Sequence, residues 1–239
     1  MIVNTQGIVL QTVKYSDNSL IVKIFTRKCG TISFIIKHAF SKKTKQPATL
    51  FAPLTILNLI FNETSGEKLI FLKEVSIVHP FHSIFIDIKK STLSLFYQEL
   101  LSKLLYSANA PEENLFDYIK EHLLMLDATL EVAPDVHIVF LIQLIQYLGY
   151  MPELNFSIDT PYFSIESSNF GSCFIETSHF LSKEASFYLY NILKNHHYIT
   201  PNKKTRMELL NGMILYLMKY NKQIKEIKSV EILSEIFRV

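Results

Sequence analysis

The sequence predicts an α+β protein: a small closed barrel of five strands, then an α-helical region carrying one irregular insert. Three observations predict it. Residues 1–80 are rich in β-branched and aromatic side chains, with period-two alternation between short turns. After His79-Pro80 the apolar residues recur at helical spacing. Residues 151–180 follow neither period and hold Pro152, Pro161 and many serines. With 239 residues the chain is one large domain or two small ones. The change of period places the boundary so that 1–79 form the barrel and 80–239 the helical region, with 151–181 as its insert.

The first strand starts near Gly7, and Tyr15-Ser16-Asp17-Asn18-Ser19 turns it into a second over Leu20–Thr26. Arg27-Lys28-Cys29-Gly30 is the next turn, with Gly30 free to take a positive φ. Thr31–Lys37 follows, with Ile32, Phe34 and Ile36 on one face. Leu54–Phe61 and Lys68–Val78 pair around Asn62–Glu67, and a polar loop, His38–Thr49, separates the two groups. Five strands in so short a stretch suit a closed barrel, which leaves no edge strand open.

Lys89–Tyr106 is the first helix, with Leu93, Phe96, Tyr97, Leu100, Leu101 and Leu104 on one face. Pro111 fits the first turn of the second, where Glu112 and Glu113 suit the positive end, and Leu115, Phe116, Ile119, Leu123 and Leu126 form its apolar stripe. Asp135 can cap a third helix over Val136–Leu148, apolar almost all round and therefore central, with Gly149 as its stop. Ser182 caps a helix to about Asn195. Thr200-Pro201 opens a long helix over Asn202–Asn221, and a short one ends the chain from Val230.

Composition sets outer bounds. A hydrophobic fraction of 49% against 19% charged residues excludes disorder as the dominant state. Two cysteines, Cys29 and Cys173, are too few for a disulfide framework or a four-thiolate zinc site. Met1–Leu10 lacks the basic and apolar regions of a signal peptide, and His137, Gln143 and Gln146 interrupt the longest apolar stretch, so the expectation is a soluble cytoplasmic protein with no membrane partner. No phosphate-binding glycine loop and no nucleophile elbow occurs among six glycines. His79 and His82 have H-x-x-H spacing without a third ligand, which favours packing or surface roles over a metal site. Cys29 lacks a Cys–His–Asn arrangement and reads as an inert turn residue. No constellation argues for an enzyme or a cofactor.

The formal net charge of +2 conceals a pattern. Residues 1–80 hold ten Lys and Arg against four acids, residues 99–184 three lysines against thirteen acids, and residues 194–239 nine bases against four acids. A basic head and tail around an acidic middle suit a polyanion at the ends and another partner between them. Within the head, Lys42, Lys43 and Lys45 share the His38–Thr49 loop with hydroxyls and no acid, which fits phosphate neutralisation as well as simple solubility. Lys14, Lys23, Arg27, Lys28 and Lys37 extend that surface. Tyr15, Phe25, Phe34 and Phe40 are the stacking candidates, although Phe25 and Phe34 better suit the core. In the tail, Lys203, Lys204 and Arg206 occupy a first helical turn, where cations oppose the macrodipole. Either an anion bound at that helix start or a salt bridge to the acidic middle relieves this.

The residues also resemble a family. Gly7-Ile8-Val9-Leu10, Tyr15-Ser16-Asp17, Ile24-Phe25-Thr26 to Gly30, Ser41-Lys42-Lys43, Leu50-Phe51-Ala52-Pro53-Leu54 and Leu72-Lys73-Glu74-Val75 run in the order and spacing of RecO, the bacterial recombination mediators. Leu148-Gly149-Tyr150-Met151-Pro152 and Lys228-Ser229-Val230-Glu231-Ile232-Leu233 resemble its later segments, so the similarity covers most of the chain. The resemblance implies an N-terminal OB-fold followed by a helical domain. It implies binding of single- and double-stranded DNA, annealing of complementary strands, and help for RecA in replacing single-strand-binding protein (SSB), with RecR as partner and the SSB tail as a ligand.

On this reading the DNA contacts are Arg27, Lys28, Lys37, Lys42, Lys43 and Lys45, with Lys203, Lys204 and Arg206 as a second site. Many RecO proteins carry a four-cysteine zinc module after the L-G-[FY]-x-P step. Here only Cys173 falls in that region, so the expectation is a degenerate, metal-free version of the module. A protein-binding scaffold and an RNA-binding OB protein are the alternative readings.

Overall fold

In the computed structural model, which describes residues 1–62, 69–172, 179–196 and 199–237, the N-terminal strands alternate inward and outward side chains and close into a barrel. The strands are β1 (Ile2–Ser16), β2 (Ser19–Thr26), β3 (Gly30–Lys37), β4 (Ile56–Asn62) and β5 (Ile70–Ile77). Their order around the barrel is β1-β2-β3-β5-β4, closed by β4 on β1. All pairs are antiparallel except β3 with β5. This is the five-stranded OB arrangement. Val9, Val22, Ile24, Phe34, Ile36, Phe51, Leu57, Leu59, Phe61 and Leu72 fill the interior.

β1 starts at Ile2, not near Gly7. Its first half, Ile2–Ile8, pairs with β4, and its second half pairs with β2. The polar residues Asn4 and Gln6 hide this half from a hydrophobicity reading. Gly7 sits where the strand turns from one partner to the other, and a Cβ there would lie 2.5 Å from Ile24 and 2.7 Å from Leu59. β4 begins two residues later than expected because Leu54 adopts φ 65°, which breaks the extended chain. β5 is described from Ile70, so Lys68 and most of the preceding turn lie outside the described residues.

Two helices share a compact unit with the barrel, Met1–Thr129. α1 (Ile88–Leu104) is capped by Asp87, whose side chain accepts from the N–H groups of Lys89 and Lys90. α2 (Glu113–Ala128) starts after Pro111, which therefore precedes the helix and does not sit in its first turn. Ile8 and Phe25 point away from the barrel interior by strand alternation and are nonetheless fully buried. Phe25 meets Phe116 of α2 with ring centroids 6.0 Å apart, and Gln98 of α1 donates to the Leu10 carbonyl.

The second unit, Leu130–Val239, is built from α3 (Val136–Tyr147), β6 (Tyr162–Ser164), β7 (Asn169–Gly171), α4 (Lys183–Leu193), α5 (Lys203–Tyr220) and α6 (Ser229–Ile236). Asp135 does not cap α3 with its side chain; that carboxylate accepts a hydrogen bond from the Tyr188 hydroxyl instead. Gly149 follows α3 at φ 79°, the conformation that stops a helix. Ser182 accepts from the Ala185 N–H and caps α4 as its position implies. Pro201 lies just ahead of α5, and Asn202 is the cap. Among the described residues no helix is long and apolar enough to cross a membrane.

The 151–181 insert is two short strands on an aromatic cluster. Phe163 and Phe170 pack at 5.1 Å, Phe156 stacks on Tyr190 at 5.0 Å, and Asn155 brackets the backbone N–H and C=O of Phe170 at 2.9 and 3.0 Å. Lys219 of α5 donates to the Glu166 carbonyl at 2.6 Å and to Ser168 Oγ at 2.8 Å, pinning the β6–β7 turn. A single cysteine in the segment cannot form a four-thiolate zinc centre, and Cys173 lies outside the described residues. Among the described residues no group of three or more His, Cys, Asp or Glu side chains is placed to hold a metal ion.

Candidate nucleic-acid interface

Strand register divides the outer barrel face into rows. Ile8, Phe25 and Thr31 form the first row and are covered by the helices; Thr31 donates from its N–H to Ala108 and from its hydroxyl to Leu105. Gln11, Lys23 and Ser33 form the second. Val13, Ile21, Ile35 and Phe71 form the third, which crosses four strands in register. Ser19 and Lys37 form the rim. The third row is open: Val13 is 48% and Phe71 52% exposed, and Ile21 and Ile35 are half-buried.

This division splits the basic head in two. On the helix side the cations each have a partner within the protein, although Lys28 stays exposed. Arg27 forms a two-pronged bond to Asp117, 2.9 Å at each prong, and lies 2.6 Å from Glu113. The hydrogen bonds from Arg27, aided by its charge, hold the Asp117 carboxyl below its ordinary value. Lys28 donates to the Asn4 carbonyl at 3.0 Å, and Lys23 lies over the Tyr106 ring.

At the opposite end the cations face solvent. Lys42, Lys43 and Lys45 are exposed, with no carboxylate at ion-pair distance among the described residues. Lys37 lies 4.7 Å over the Phe71 ring and Lys14 5.9 Å over Phe40, and Lys14 has only a long contact, 3.9 Å, with Asp17. Tyr15 and Phe40 are exposed, whereas Phe25 and Phe34 are fully buried. The structure thus brings Lys37 together with the loop lysines' end of the barrel and sets Arg27 and Lys28 apart. Phe71 escapes a reading by charge and composition. Its signal lies in the parallel β3–β5 pairing, which only the closed barrel reveals.

In the second unit, Lys203 and Arg206 line a cleft with Pro134, His137, Met207, Leu210, Leu233 and Phe237. Arg206 donates to the Pro201 carbonyl at 2.8 Å, Asn202 caps the helix start, and Lys204 is exposed. Burial, helped by the nearby Arg206 charge, lowers the His137 imidazole to about 4, so it is neutral at pH 7.

The other histidine motif is structural. His79 Nε2 lies 3.4 Å from Asp127, whose carboxylate also accepts the backbone N–H groups of His82, Ser83 and Ile84 at 2.8–3.1 Å. Burial pushes that carboxyl up, but these donors outweigh it and hold it well below the usual carboxylate range. The Lys90 ammonium completes the cluster by donating to Ser83 Oγ and to the Asp127 and Thr129 carbonyls at 2.6–3.0 Å.

A closed barrel in the 1-2-3-5-4 order, followed by helices, defines a two-part OB-fold protein. Residues 1–81 match the model for the Recombination protein O N-terminal domain and residues 86–218 that for its C-terminal domain. The chain is 33% identical over 243 residues to the DNA repair protein RecO of Flavobacterium psychrophilum, which covers 99% of this chain and 100% of that one. It is 32% identical to the protein of that name from Flavobacterium johnsoniae and 30% to that from Bacteroides fragilis, with the same coverage. The chain therefore belongs to the RecO family of DNA repair proteins.

Proposed function

We propose that this protein is a non-enzymatic recombination mediator. It binds single- and double-stranded DNA, anneals complementary strands and, together with RecR, helps load RecA onto strands coated with SSB. The observation that carries this reading is the open cationic end of the barrel, where Lys42, Lys43 and Lys45 are exposed in the loop that follows Lys37 and whose Phe40 ring lies 5.9 Å from Lys14. Lysines placed on phosphates release counterions and bind without regard to sequence. The protein then supplies proximity, and the strands themselves select their pairing.

Residues 1–79 serve as the DNA-binding barrel and 80–239 as the helical partner region, acting in the cytoplasm on nucleoid DNA. Lys203 and Lys204 offer a second place for a backbone. The adjoining cleft pairs Lys203 and Arg206 with apolar Met207, Leu210, Leu233 and Phe237, which is the combination an acidic tail with an apolar end requires.

The test is fluorescence anisotropy of a labelled single-stranded oligonucleotide across a salt series. Wild-type affinity should fall steeply with salt, by about 0.7 in log–log slope per phosphate neutralised. Lys42→Ala/Lys43→Ala/Lys45→Ala should weaken binding and flatten the slope. Absence of wild-type binding at low salt would reject the reading in favour of a protein scaffold.

A further inference from the structure

We infer that the open row Val13–Ile21–Ile35–Phe71 is a base-stacking platform that makes the barrel prefer unpaired DNA strands over duplex. The inference rests on the DNA-binding reading above and goes beyond it, because lysines alone do not distinguish the two forms. Four outward apolar residues stand in register across β1, β2, β3 and β5, and the row ends on an aromatic ring that is half exposed. The neighbouring half of the same face is sealed by α1 and α2, so the row's exposure is local. With strands about 4.8 Å apart, the row is roughly 14 Å long, enough for two or three bases.

The charge around the row selects the occupant. Lys37 stands over Phe71 at 4.7 Å, its strand runs on into the 38–49 loop that carries the exposed Lys42, Lys43 and Lys45, and Lys14 lies 5.9 Å from the Phe40 ring of that loop. An apolar strip edged by cations suits a ligand with flat apolar faces on an anionic backbone. An unpaired strand is such a ligand, since every base offers a π-face. In a duplex those faces are already stacked, so the row gains nothing from it and only the lysines engage. Phe71 is then the specificity-determining residue and Lys37 the group that joins ring to backbone.

The sequence contains no tryptophan, so Phe71→Trp places a single reporter on the platform. Oligo-dT should quench its emission. A matched duplex and inorganic polyphosphate, at equal phosphate concentration, should leave it unchanged. Phe71→Ala should weaken single-strand binding about tenfold and leave duplex binding and the thermal midpoint unaltered. Binding by anisotropy without quenching, an equal loss for both DNA forms, or equal quenching by polyphosphate would overturn the platform while leaving the DNA-binding reading intact. No wild-type binding to either DNA form at low salt would overturn both.

Discussion

Arg27 grips Asp117 with two parallel hydrogen bonds of 2.9 Å while its third nitrogen lies 2.6 Å from Glu113, joining the β2–β3 turn to α2. A cation held by two carboxylates is already neutralised. Arg27→Ala should therefore change oligonucleotide affinity far less than the triple lysine substitution in the 38–49 loop. The expected effect is a small loss of thermal midpoint at unchanged salt slope. A loss of affinity as large as that of the triple variant would return Arg27 to the DNA surface.

Asp127 contributes to the acid limb of stability. Its folded-state pKa lies below the unfolded value, near 3.9. Its contribution is thus complete above about pH 4 and is lost as pH falls further. Asp127→Ala leaves the N–H groups of His82, Ser83 and Ile84 without their carboxylate acceptor in a buried place, while the Lys90 ammonium keeps its bonds to Ser83 Oγ and to the main-chain carbonyls of residues 127 and 129. It should cost about 3 kcal/mol in denaturant unfolding. Asp127→Asn should flatten the pH dependence below 4.

A second window comes from histidine. Burial lowers His122 to about 4, and burial with Arg206 lowers His137 to about 4, against an ordinary value of 6.5. The unfolded chain takes up these protons first, so stability is complete above about pH 6.5 and declines toward pH 4. Each histidine accounts for about 3 kcal/mol of that decline. Unfolding midpoints from pH 7 to 4.5 should fall for the wild type and fall less for His122→Gln.

Gly30 combines two constraints. It adopts φ 68°, and a Cβ would lie 2.9 Å from the Ala110 carbonyl oxygen and closer still to that of Ala108. Gly30→Ala should destabilise by about 2 kcal/mol or more, measured by urea unfolding, because backbone strain and steric overlap add.

The insert should not answer to metal removal. Phe163, Phe170, Phe156 and Tyr190 hold it by packing, and Asn155 and Lys219 by hydrogen bonds. A strong chelator should leave the thermal midpoint unchanged, whereas Asn155→Ala should lower it by removing both bonds to Phe170. A chelator-induced fall would show that metal supports this segment.

Local pattern in the sequence was enough for the barrel, the helices and most of their faces. Alternation at Ile32, Phe34 and Ile36 and the helical stripe of Leu115, Phe116, Ile119, Leu123 and Leu126 each report a single buried side, a property of residues close in sequence. Gly30, Gly149 and Ser182 act where they stand for the same reason. Boundaries were less legible. Ile2–Gln6 became a strand through β4, more than fifty residues away, and Asp135 gave up its capping role to Tyr188.

The candidate site divides along the same line. That lysines crowd residues 14–45 is written in composition. Which of them face solvent is not, because Arg27 meets Asp117 ninety residues on. Phe71 joins Val13, Ile21 and Ile35 only when β5 pairs with β3 and the barrel closes. Pattern along a chain records how each residue meets water. Pairing between distant segments depends on closure of the whole, and that closure decided which charges remained available and which ring lay beside them.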